Sequence, residues 1–165
     1  MAYGEDGRLK PECLGFNALS IFECTDACGC SEDCPNRVAQ KGRKVPLEIF
    51  KTQKCGWGLR ARNFIPAGTF ITAYGGELCT NDEADQRGKP HEADPLPLAR
   101  PPRQSYLSVD AGLYGNIARF LNHSCSPNLN QEYVWLSSDL DFARPRACFF
   151  TNRDVAAGEE LRFSY

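Results

Sequence analysis

The ten residues 119–128, RFLNHSCSPN, hold an arginine, two asparagines, a histidine, a cysteine and a proline beside a single apolar pair. Such a density of donors and acceptors, closing on Ser-Pro, predicts an ordered turn and not the middle of a strand or helix. Four interpretations are open from these residues alone. They are a nucleophilic pair of His123 and Cys125, half of a metal site, a loop whose amides and carbonyls hold a ligand, and a turn whose side chains satisfy one another.

The composition is that of a globular protein rich in turns. The chain has 165 residues, of which 42% are hydrophobic and 24% are charged, with 14 glycines and 11 prolines. A chain of this length buries about two-thirds of its unfolded surface, which is enough for one core. We therefore expect one domain with appendages, built mainly from β-strands.

The charge and the apolar pattern limit the partners. A formal net charge of -2 argues against a surface that grips nucleic acid through its phosphates, and it favours a basic partner. The N-terminal residues MAYGEDGRLK lack the apolar centre of a signal peptide, and no later apolar run approaches the roughly 20 residues of a membrane span. We expect a soluble intracellular protein with no membrane contact and no sequence-specific nucleic acid binding.

Nine cysteines without a secretory signal indicate metal ligands, because the cytosol and the nucleus keep thiols reduced. Four of them, Cys24, Cys28, Cys30 and Cys34, form a CxxxCxCxxxC array. Four thiolates this close can surround one Zn²⁺ tetrahedrally, as in closed structural zinc sites. Buried thiols that act as small hydrophobic residues are the other interpretation, and the polar character of the segment disfavours it.

Short apolar runs separated by turn residues predict a stack of small hairpins from residue 45 onward. Residues 80–88, TNDEADQRG, predict a short helix, because Thr80 and Glu83 match the capping-box pattern. Residues 90–102 hold five of the eleven prolines and predict an exposed insertion. The phrases FIPAGTF and DVAAGEE form a weak repeat that predicts two similar turns. The strand candidates are VPLEIFKT, GWGLRARNF, TFITAYGGEL, NLNQEYVWL, RACFFTN and ELRFSY.

Four segments in a fixed order give the chain a family resemblance that runs from Cys24 to Tyr165. They are CGCSEDCPNRV, CGWGLRARNFIPAGTFITAYGGEL, YGNIARFLNHSCSPN and GEELRFSY. The chain resembles SET-domain protein lysine methyltransferases. Its cysteine-rich lead resembles the pre-SET segment of the suppressor-of-variegation class, which methylates lysine 9 of histone H3.

The resemblance implies a mainly β fold of several small sheets with a knot-like core, few short helices and a cysteine-rich zinc-binding N-terminal segment. We expect a partial pre-SET segment at residues 1–40 and a SET domain at 41–165, with a variable insertion at 83–104. The implied partners are the histone H3 tail and chromatin. The implied location is the nucleus.

The resemblance also assigns a role to residues 119–128, which are implied to thread under a neighbouring loop and to serve S-adenosylmethionine with their amides and carbonyls. A Cys-His nucleophile is then disfavoured, since the other histidine, His91, lies in the proline-rich insertion and no orienting motif accompanies Cys125. The residues implied to hold the cofactor are Gly56, Trp57, Gly58, Tyr74, Arg119, Asn122 and His123.

The implied reaction is an in-line displacement in which a lysine amine takes a methyl group from a sulfonium. A lysine with a pKa of about 10.4 is protonated at pH 7, and neutralising it costs about 4 to 5 kcal/mol. An apolar channel and the sulfonium charge both disfavour the ammonium form. By resemblance, Tyr165 is the main channel tyrosine and Tyr106 is the second one. Phe163 is the position that sets how many methyl groups fit, and a phenylalanine favours di- and trimethyl products.

The metal sites depart from the family pattern. The family's pre-SET cluster uses nine cysteines for three zincs, whereas here Cys13 alone precedes the array, so five thiolates can hold one or two zincs. In relatives the cysteine of NHSC, here Cys125, joins post-SET cysteines around another zinc that closes the lysine channel. The sequence ends before such cysteines, so we expect weak or absent activity from this chain by itself.

Two classes of function stay open from the sequence. The first is a methyltransferase for lysine 9 of histone H3, or for another histone or non-histone lysine. The second is a catalytically impaired SET-type module that binds chromatin. The intact GWG, NHSC and final tyrosine favour the enzyme. A basic histone tail suits an acidic chain, with Asp139 and Asp141 as weaker candidates for contacts to the tail.

Overall fold

The structure, a computed structural model, describes residues 1–15, 20–88, 107–136 and 145–165. Strands dominate these residues, which confirms the prediction of a mainly β fold. Tyr106, Asp139, Asp141 and most of the predicted insertion lie outside the described residues. The strands are β1 Ile21–Glu23, β2 Leu47–Lys51, β3 Trp57–Ala61, β4 Phe70–Ala73, β5 Gly76–Thr80, β6 Leu107–Gly115, β7 Asn122–His123, β8 Leu129–Leu136, β9 Arg146–Thr151 and β10 Arg162–Phe163. The α-helix is α1 Asn81–Gly88, and 3₁₀ helices lie at Pro11–Cys13, Ala39–Lys41 and Ile117–Phe120.

The strands form small sheets, as the pattern of short runs predicts. The largest has four strands in the order β1-β8-β9-β4, and in it β8 and β9 form a hairpin while β1 runs parallel to β8. The others are the hairpin β2/β3, the antiparallel pair β5/β6 and the parallel pair β7/β10. In the described part of the chain, no helix is long and apolar enough to cross a membrane.

Strand β9 is apolar on both faces, which explains its nearly unbroken apolar run RACFFT. Successive side chains of a strand point to opposite faces, so Phe149 enters one core while Cys148 and Phe150 enter another. The buried residues of the first core are Leu59, Ala61, Ile65, Ile71, Ala118, Leu121, Leu129, Phe149, Val155, Leu161 and Phe163. Those of the second core are Tyr3, Leu9, Ile21, Ala39, Phe70, Val134, Cys148 and Phe150.

The N-terminal residues dock on the second core through a small hairpin. Tyr3 pairs with Leu9 in an antiparallel bridge, and both side chains are buried. The Leu9 N–H donates to the Gly68 carbonyl at 2.7 Å. Gly68 has a φ of 77°, and a Cβ at this position would overlap the Leu9 carbonyl oxygen. A glycine is therefore required for this contact.

The glutamate Glu23 connects the N-terminal hairpin to the segment that follows the cysteine array. Its buried carboxylate accepts a hydrogen bond from the Tyr3 hydroxyl at 2.7 Å. It also accepts the N–H groups of Val38, Ala39 and Gln40 at 3.1, 2.7 and 3.2 Å. Burial, together with the neighbouring Glu23 charge, raises the pKa of Tyr3, so its hydroxyl stays a donor. This one side chain thus satisfies the orphan amides at the start of the Ala39–Lys41 helix.

The two phrases of the weak repeat form turns that pair with each other. Ile65 and Val155 exchange two backbone hydrogen bonds, with N···O distances of 2.9 and 2.8 Å. The fifth residue of each phrase is a glycine with a positive φ angle, which is 77° at Gly68 and 84° at Gly158. The turn prediction is confirmed, and the pairing places Ile65 and Val155 next to each other in the first core.

Helix α1 begins as the capping box predicts. The Glu83 carboxylate accepts the Thr80 N–H at 2.8 Å, and the Thr80 hydroxyl accepts the Glu83 N–H at 3.2 Å. Near the other end of the helix, Arg87 binds Glu77 of β5 and Asp110 of β6 at 2.9 and 3.2 Å. The helix is thereby fixed on the β5/β6 ribbon.

Candidate active site

The C-terminal segment with β10 lies between two other segments and pairs with both, as expected for the knot-like core. On one side the Leu161 N–H donates to the Leu59 carbonyl at 2.8 Å. On the other side β10 pairs in parallel with β7, and the Ser124 N–H donates to the Phe163 carbonyl at 2.9 Å. Residues 119–128 are ordered, as predicted, but they are not a simple turn: they contain the end of the Ile117–Phe120 helix and the two-residue strand β7.

Hydrogen bonds of Asn128 and Glu159 stabilise this crossing. The Asn128 side chain is buried, accepts the Arg162 N–H at 2.8 Å and donates to the Glu160 carbonyl at 2.8 Å. It also donates to the Glu159 carboxylate at 2.9 Å. The hydrogen bond from Arg153, helped by Asn128, lowers the pKa of Glu159 to about 2. Because this folded-state pKa is depressed, the stabilisation is present above about pH 4.3 and is lost as the pH falls toward 2.

The ring of His123 is oriented by the end of the chain. Its Nδ1 accepts the Tyr165 backbone N–H at 3.1 Å, and its Nε2 lies 3.5 Å from Cys125 Sγ. Since Nδ1 is an acceptor, the proton of the neutral ring resides on Nε2. That nitrogen therefore donates toward Cys125 and cannot serve as its general base, which removes the interpretation of a Cys-His nucleophile.

Aromatic rings form a continuous wall beside His123. Phe163 lies between Phe149 and Tyr165, with centroid distances of 4.7 and 4.8 Å. Tyr165 meets the His123 ring at 5.2 Å, and its hydroxyl donates to the Leu121 carbonyl at 3.0 Å. Phe163 is 6% exposed and Tyr165 is 49% exposed. The first is thus a core side chain, whereas the second reaches solvent.

The Gly-Trp-Gly segment meets this region from β3. Asn122 Nδ2 donates to the Trp57 carbonyl at 3.2 Å and to Glu160 Oε1 at 2.8 Å. Gly56 has a φ of 70°, which favours glycine at the turn before β3. The structure thus brings Gly56, Trp57, Asn122 and the final strand together, although they are far apart in sequence.

Tyr74 and Arg119 approach the same region from other elements. Tyr74 packs its ring against Phe149 at 6.3 Å, and burial raises the pKa of its phenol. Arg119 Nη2 donates to the carbonyl of Gly112 in β6 at 2.8 Å. Asn116, which the sequence analysis missed, links strand β4 to the Ile117–Phe120 helix. It donates to the Ala73 carbonyl at 2.8 Å and caps the Ile117–Phe120 helix through Ala118.

The cysteine array is partly assembled. The sulfurs of Cys24, Cys30 and Cys34 all lie within 4.8 Å of one another, a donor set that fits a thiolate-bound zinc ion. Cys28 is exposed outside this group, and its sulfur accepts the Thr25 N–H at 3.5 Å. Of the other two predicted ligands, Cys13 packs against the second core and Cys125 is exposed beside His123.

Two side chains direct N–H groups at the sulfurs. Asn36 Nδ2 lies 3.4 Å from Cys24 Sγ, and Arg37 Nη2 lies 3.9 Å from Cys30 Sγ. Although burial opposes ionisation, the hydrogen bond from Arg37 helps to lower the pKa of Cys30. The Thr25 amide lowers the pKa of Cys28. At Cys28 and Cys30 these contacts favour thiolates, which are the form that binds metal. At Cys24 the hydrogen bond from Asn36 is outweighed by burial and by the neighbouring thiols, which raise its pKa.

Comparison with known proteins agrees with this geometry. A family model described as the SET domain matches residues 56–165. The chain belongs to the SET domain family. It is similar to the H3 lysine-9-specific histone-lysine N-methyltransferase of Schizosaccharomyces pombe, with 42% identity over 168 residues. The alignment covers 99% of this chain and 33% of the yeast protein, so the chain spans about a third of that relative's length.

Solved structures of the same family resemble the chain closely. Arabidopsis thaliana SUVH6 in complex with SAM has a TM-score of 0.81 and 35% identity, covering 99% of this chain and 35% of that one. KRYPTONITE in complex with mCHH DNA, an H3(1-15) peptide and SAH has a TM-score of 0.70 and 32% identity, covering 87% and 28%. The predicted SET fold is confirmed.

Proposed function

We propose that this chain is the catalytic part of an S-adenosylmethionine-dependent histone-lysine N-methyltransferase that acts on lysine 9 of histone H3 in chromatin, in the nucleus. The observation that carries the proposal is the convergence of the Gly-Trp-Gly segment, Asn122, His123 and the aromatic pair Phe163 and Tyr165. Support also comes from the relatives named above, whose names specify H3 lysine 9, SAM and an H3 peptide.

The residues present suit the cofactor and the substrate amine. When bound, the cofactor supplies a methyl group on a sulfonium. The backbone around Gly56–Gly58 would hold it at the crossing of β7 and β10, together with the predicted cofactor residues Tyr74, Arg119, Asn122 and His123. Phe149, Phe163 and Tyr165 provide an aromatic wall, and such an apolar surface disfavours a protonated lysine. The chain therefore needs no strong base, and its own contribution is positioning.

A basic histone tail is the proposed peptide substrate. The net charge of -2 favours a partner rich in lysine and arginine. A tail without fixed structure can lie extended and add its backbone to an exposed strand edge. The predicted acidic contacts Asp139 and Asp141 and the second tyrosine Tyr106 remain predictions.

The test is methyl transfer by the longest natural polypeptide that carries this chain. The purified protein is incubated with S-adenosylmethionine and an H3(1-15) peptide, and the products are identified by mass spectrometry. We expect methyl groups on lysine 9 and none on a peptide with arginine at that place. Cofactor binding without transfer to any histone lysine would contradict the proposal and favour the non-catalytic binding module.

The product of the reaction is expected to depend on Phe163. A tyrosine here would place a hydroxyl beside Tyr165, where it can bind a water or the amine and occupy the space of further methyl groups. We expect di- and trimethyl-lysine from the natural protein and mainly monomethyl-lysine from Phe163→Tyr, measured as the ratio of peptide masses.

The matched control for this variant is Phe150→Tyr, which adds the same hydroxyl to the second core. An unpaired buried hydroxyl costs about 1 to 3 kcal/mol of stability. The control should therefore lower stability and leave the product ratio unchanged. A folded Phe163→Tyr variant with the natural product ratio would refute the assignment.

A zinc ion is the second proposed cofactor, held by Cys24, Cys30 and Cys34 together with the predicted fourth ligand Cys28. We expect about one to two zinc ions per chain by elemental analysis. Cys30→Ser should lose at least one of them, because it removes a thiolate from the assembled group. The control Cys55→Ser changes an exposed thiol outside the array and should keep the metal. A natural protein purified without chelators that contains no zinc would rule out the site.

A further inference from the structure

The carboxylate of Glu160 lies at the proposed cofactor site, yet no motif assigns it a role. Its Oε1 lies 2.8 Å from Asn122 Nδ2, and its Oε2 lies 4.0 Å from Arg162 Nε. The side chain is 23% exposed, so its charge is partly shielded from solvent. Each oxygen thus faces a different donor, and the one that faces Asn122 points into the crossing of β7 and β10.

The contacts of Asn122 fix the orientation of its amide. The nitrogen donates both to the Trp57 carbonyl and to the Glu160 carboxylate, at 3.2 and 2.8 Å. Both partners are acceptors only, so a flipped amide would bring its oxygen against two other oxygens. Both amide hydrogens are used in this arrangement. The Asn122 Oδ1 atom is therefore held on the other side, as an acceptor for a nitrogen or hydroxyl donor of a ligand.

The second glycine of Gly-Trp-Gly makes this approach possible. A Cβ at Gly58 would lie 2.8 Å from Glu160 Oε1 and 2.7 Å from Thr52 Cγ2. Separations below 3.0 Å force atoms to move, so any side chain at residue 58 would displace the carboxylate. The φ angle of Gly58 is not in the left-handed region, so space rather than backbone conformation explains the glycine here.

We propose that Glu160 is a positioning residue for the cofactor, which acts by holding the amide of Asn122 so that Oδ1 faces the cofactor. Gly58 serves the same arrangement by leaving room for the carboxylate. The proposal rests on the proposed function, because it takes the crossing of β7 and β10 as the S-adenosylmethionine site. It adds a group to that site which would touch Asn122 and not the cofactor.

The backbone of Glu160, and not its carboxylate, anchors this residue in the fold. The Glu160 carbonyl accepts Asn128 Nδ2 at 2.8 Å, and residues 60 and 160 form a backbone bridge. The next residue, Leu161, bonds to Leu59 through its N–H. None of these bonds uses the carboxylate. Removal of the side chain therefore leaves the threading of β10 in place.

The proposal is tested by titration calorimetry with S-adenosylhomocysteine. Glu160→Ala should weaken binding about tenfold, the loss expected when one well-oriented hydrogen bond is no longer held. Glu160→Gln keeps an acceptor oxygen and should restore most of the affinity. Glu12→Ala removes an exposed carboxylate from the N-terminal segment and should leave the affinity unchanged.

A double-mutant cycle separates positioning from general damage. Asn122→Ala should weaken binding to a similar extent, and the double variant should bind no worse than Asn122→Ala within about twofold. Independent roles would instead multiply the two losses. Gly58→Ala should mimic Glu160→Ala. Additive losses, or natural affinity in Glu160→Ala, would overturn the proposal while the proposed function stands.

A second measurement does not depend on cofactor binding. In NMR spectra of the cofactor-free protein, the side-chain NH₂ of Asn122 should give two separate signals that exchange slowly with solvent. These signals should lose their protection in Glu160→Ala and keep it in Glu12→Ala. If the natural protein bound no cofactor but showed this response, the proposed function would fail, while the role of Glu160 in orienting the Asn122 amide would stand. If the Asn122 side-chain NH₂ of Glu160→Ala were as protected from exchange as in the natural protein, the proposed role of Glu160 would be overturned.

Discussion

Glu23→Ala is expected to lower the free energy of unfolding by about 3 to 5 kcal/mol, because it leaves several buried donors without an acceptor. The Glu23 side chain is buried and accepts from the Tyr3 hydroxyl, from the N–H groups of Val38, Ala39 and Gln40, and from the Gln40 side chain at 2.9 Å. Water cannot replace the carboxylate at full strength in so enclosed a place.

Urea denaturation with graded variants would measure this contribution. Tyr3→Phe removes one donor and should cost about 1 kcal/mol, whereas Glu23→Gln keeps one acceptor oxygen and should fall between the two. Glu32→Ala changes an exposed glutamate and should stay within about 0.5 kcal/mol of the natural chain. A Glu23→Ala variant as stable as Glu32→Ala would show that these hydrogen bonds contribute nothing net.

The features that local sequence could predict are those whose partners lie within a few residues. The capping box at Thr80 and Glu83 specifies its own hydrogen bonds three residues apart, so helix α1 is found at Asn81–Gly88. The turns at Gly68 and Gly158 follow from glycine's tolerance of positive φ. Most of the predicted strands are also observed, because the alternation of apolar residues along a strand is a local property of the sequence.

Pairing between distant segments left no such local signal. The run TFITAYGGEL predicts one strand, but the structure divides it into β4 and β5 at Tyr74 and Gly75. A Cβ on Gly75 would lie 2.8 Å from the side chain of Asn116, which fills the break. The parallel pair of β7 and β10 joins residues about 40 apart, and each strand has only two residues. No periodicity can be read from two residues.

Motifs in the sequence named the residues of the proposed site but not the contacts that support them. The family resemblance named Asn122 and His123 because their identities are distinctive. It did not name Glu160, since a glutamate at the start of a strand reads as a solvated surface residue until its distance to Asn122 is known. The array of four cysteines predicted a metal site, but spacing alone did not reveal which three sulfurs would lie within 4.8 Å of one another.

Tyr165→Phe is expected to reduce the turnover of methyl transfer by about a hundredfold or more, the scale that a small misplacement of reacting groups can cost. The change keeps the ring, so the contacts with Phe163 at 4.8 Å and with His123 at 5.2 Å persist. What is lost is the hydroxyl, which the structure orients toward the Leu121 carbonyl. Steady-state kinetics with S-adenosylmethionine and the H3(1-15) peptide measure the effect. The matched control Tyr114→Phe removes a hydroxyl from a tyrosine that is 71% exposed and should leave turnover unchanged.

The two roles available to the Tyr165 hydroxyl predict different patterns. A purely structural bond to Leu121 is worth about 0.5 to 1.5 kcal/mol, so its loss would lower stability slightly and leave the rate constants of the folded protein nearly intact. A hydroxyl that positions the amine acts mainly in the transition state, so kcat and kcat/KM should fall together while the KM for S-adenosylmethionine stays within about threefold. Because the ring keeps His123 in place, a large loss of cofactor affinity is not expected from this change. A Tyr165→Phe protein with turnover within threefold of the natural one would place the channel tyrosine elsewhere, and Tyr106 would become the leading candidate.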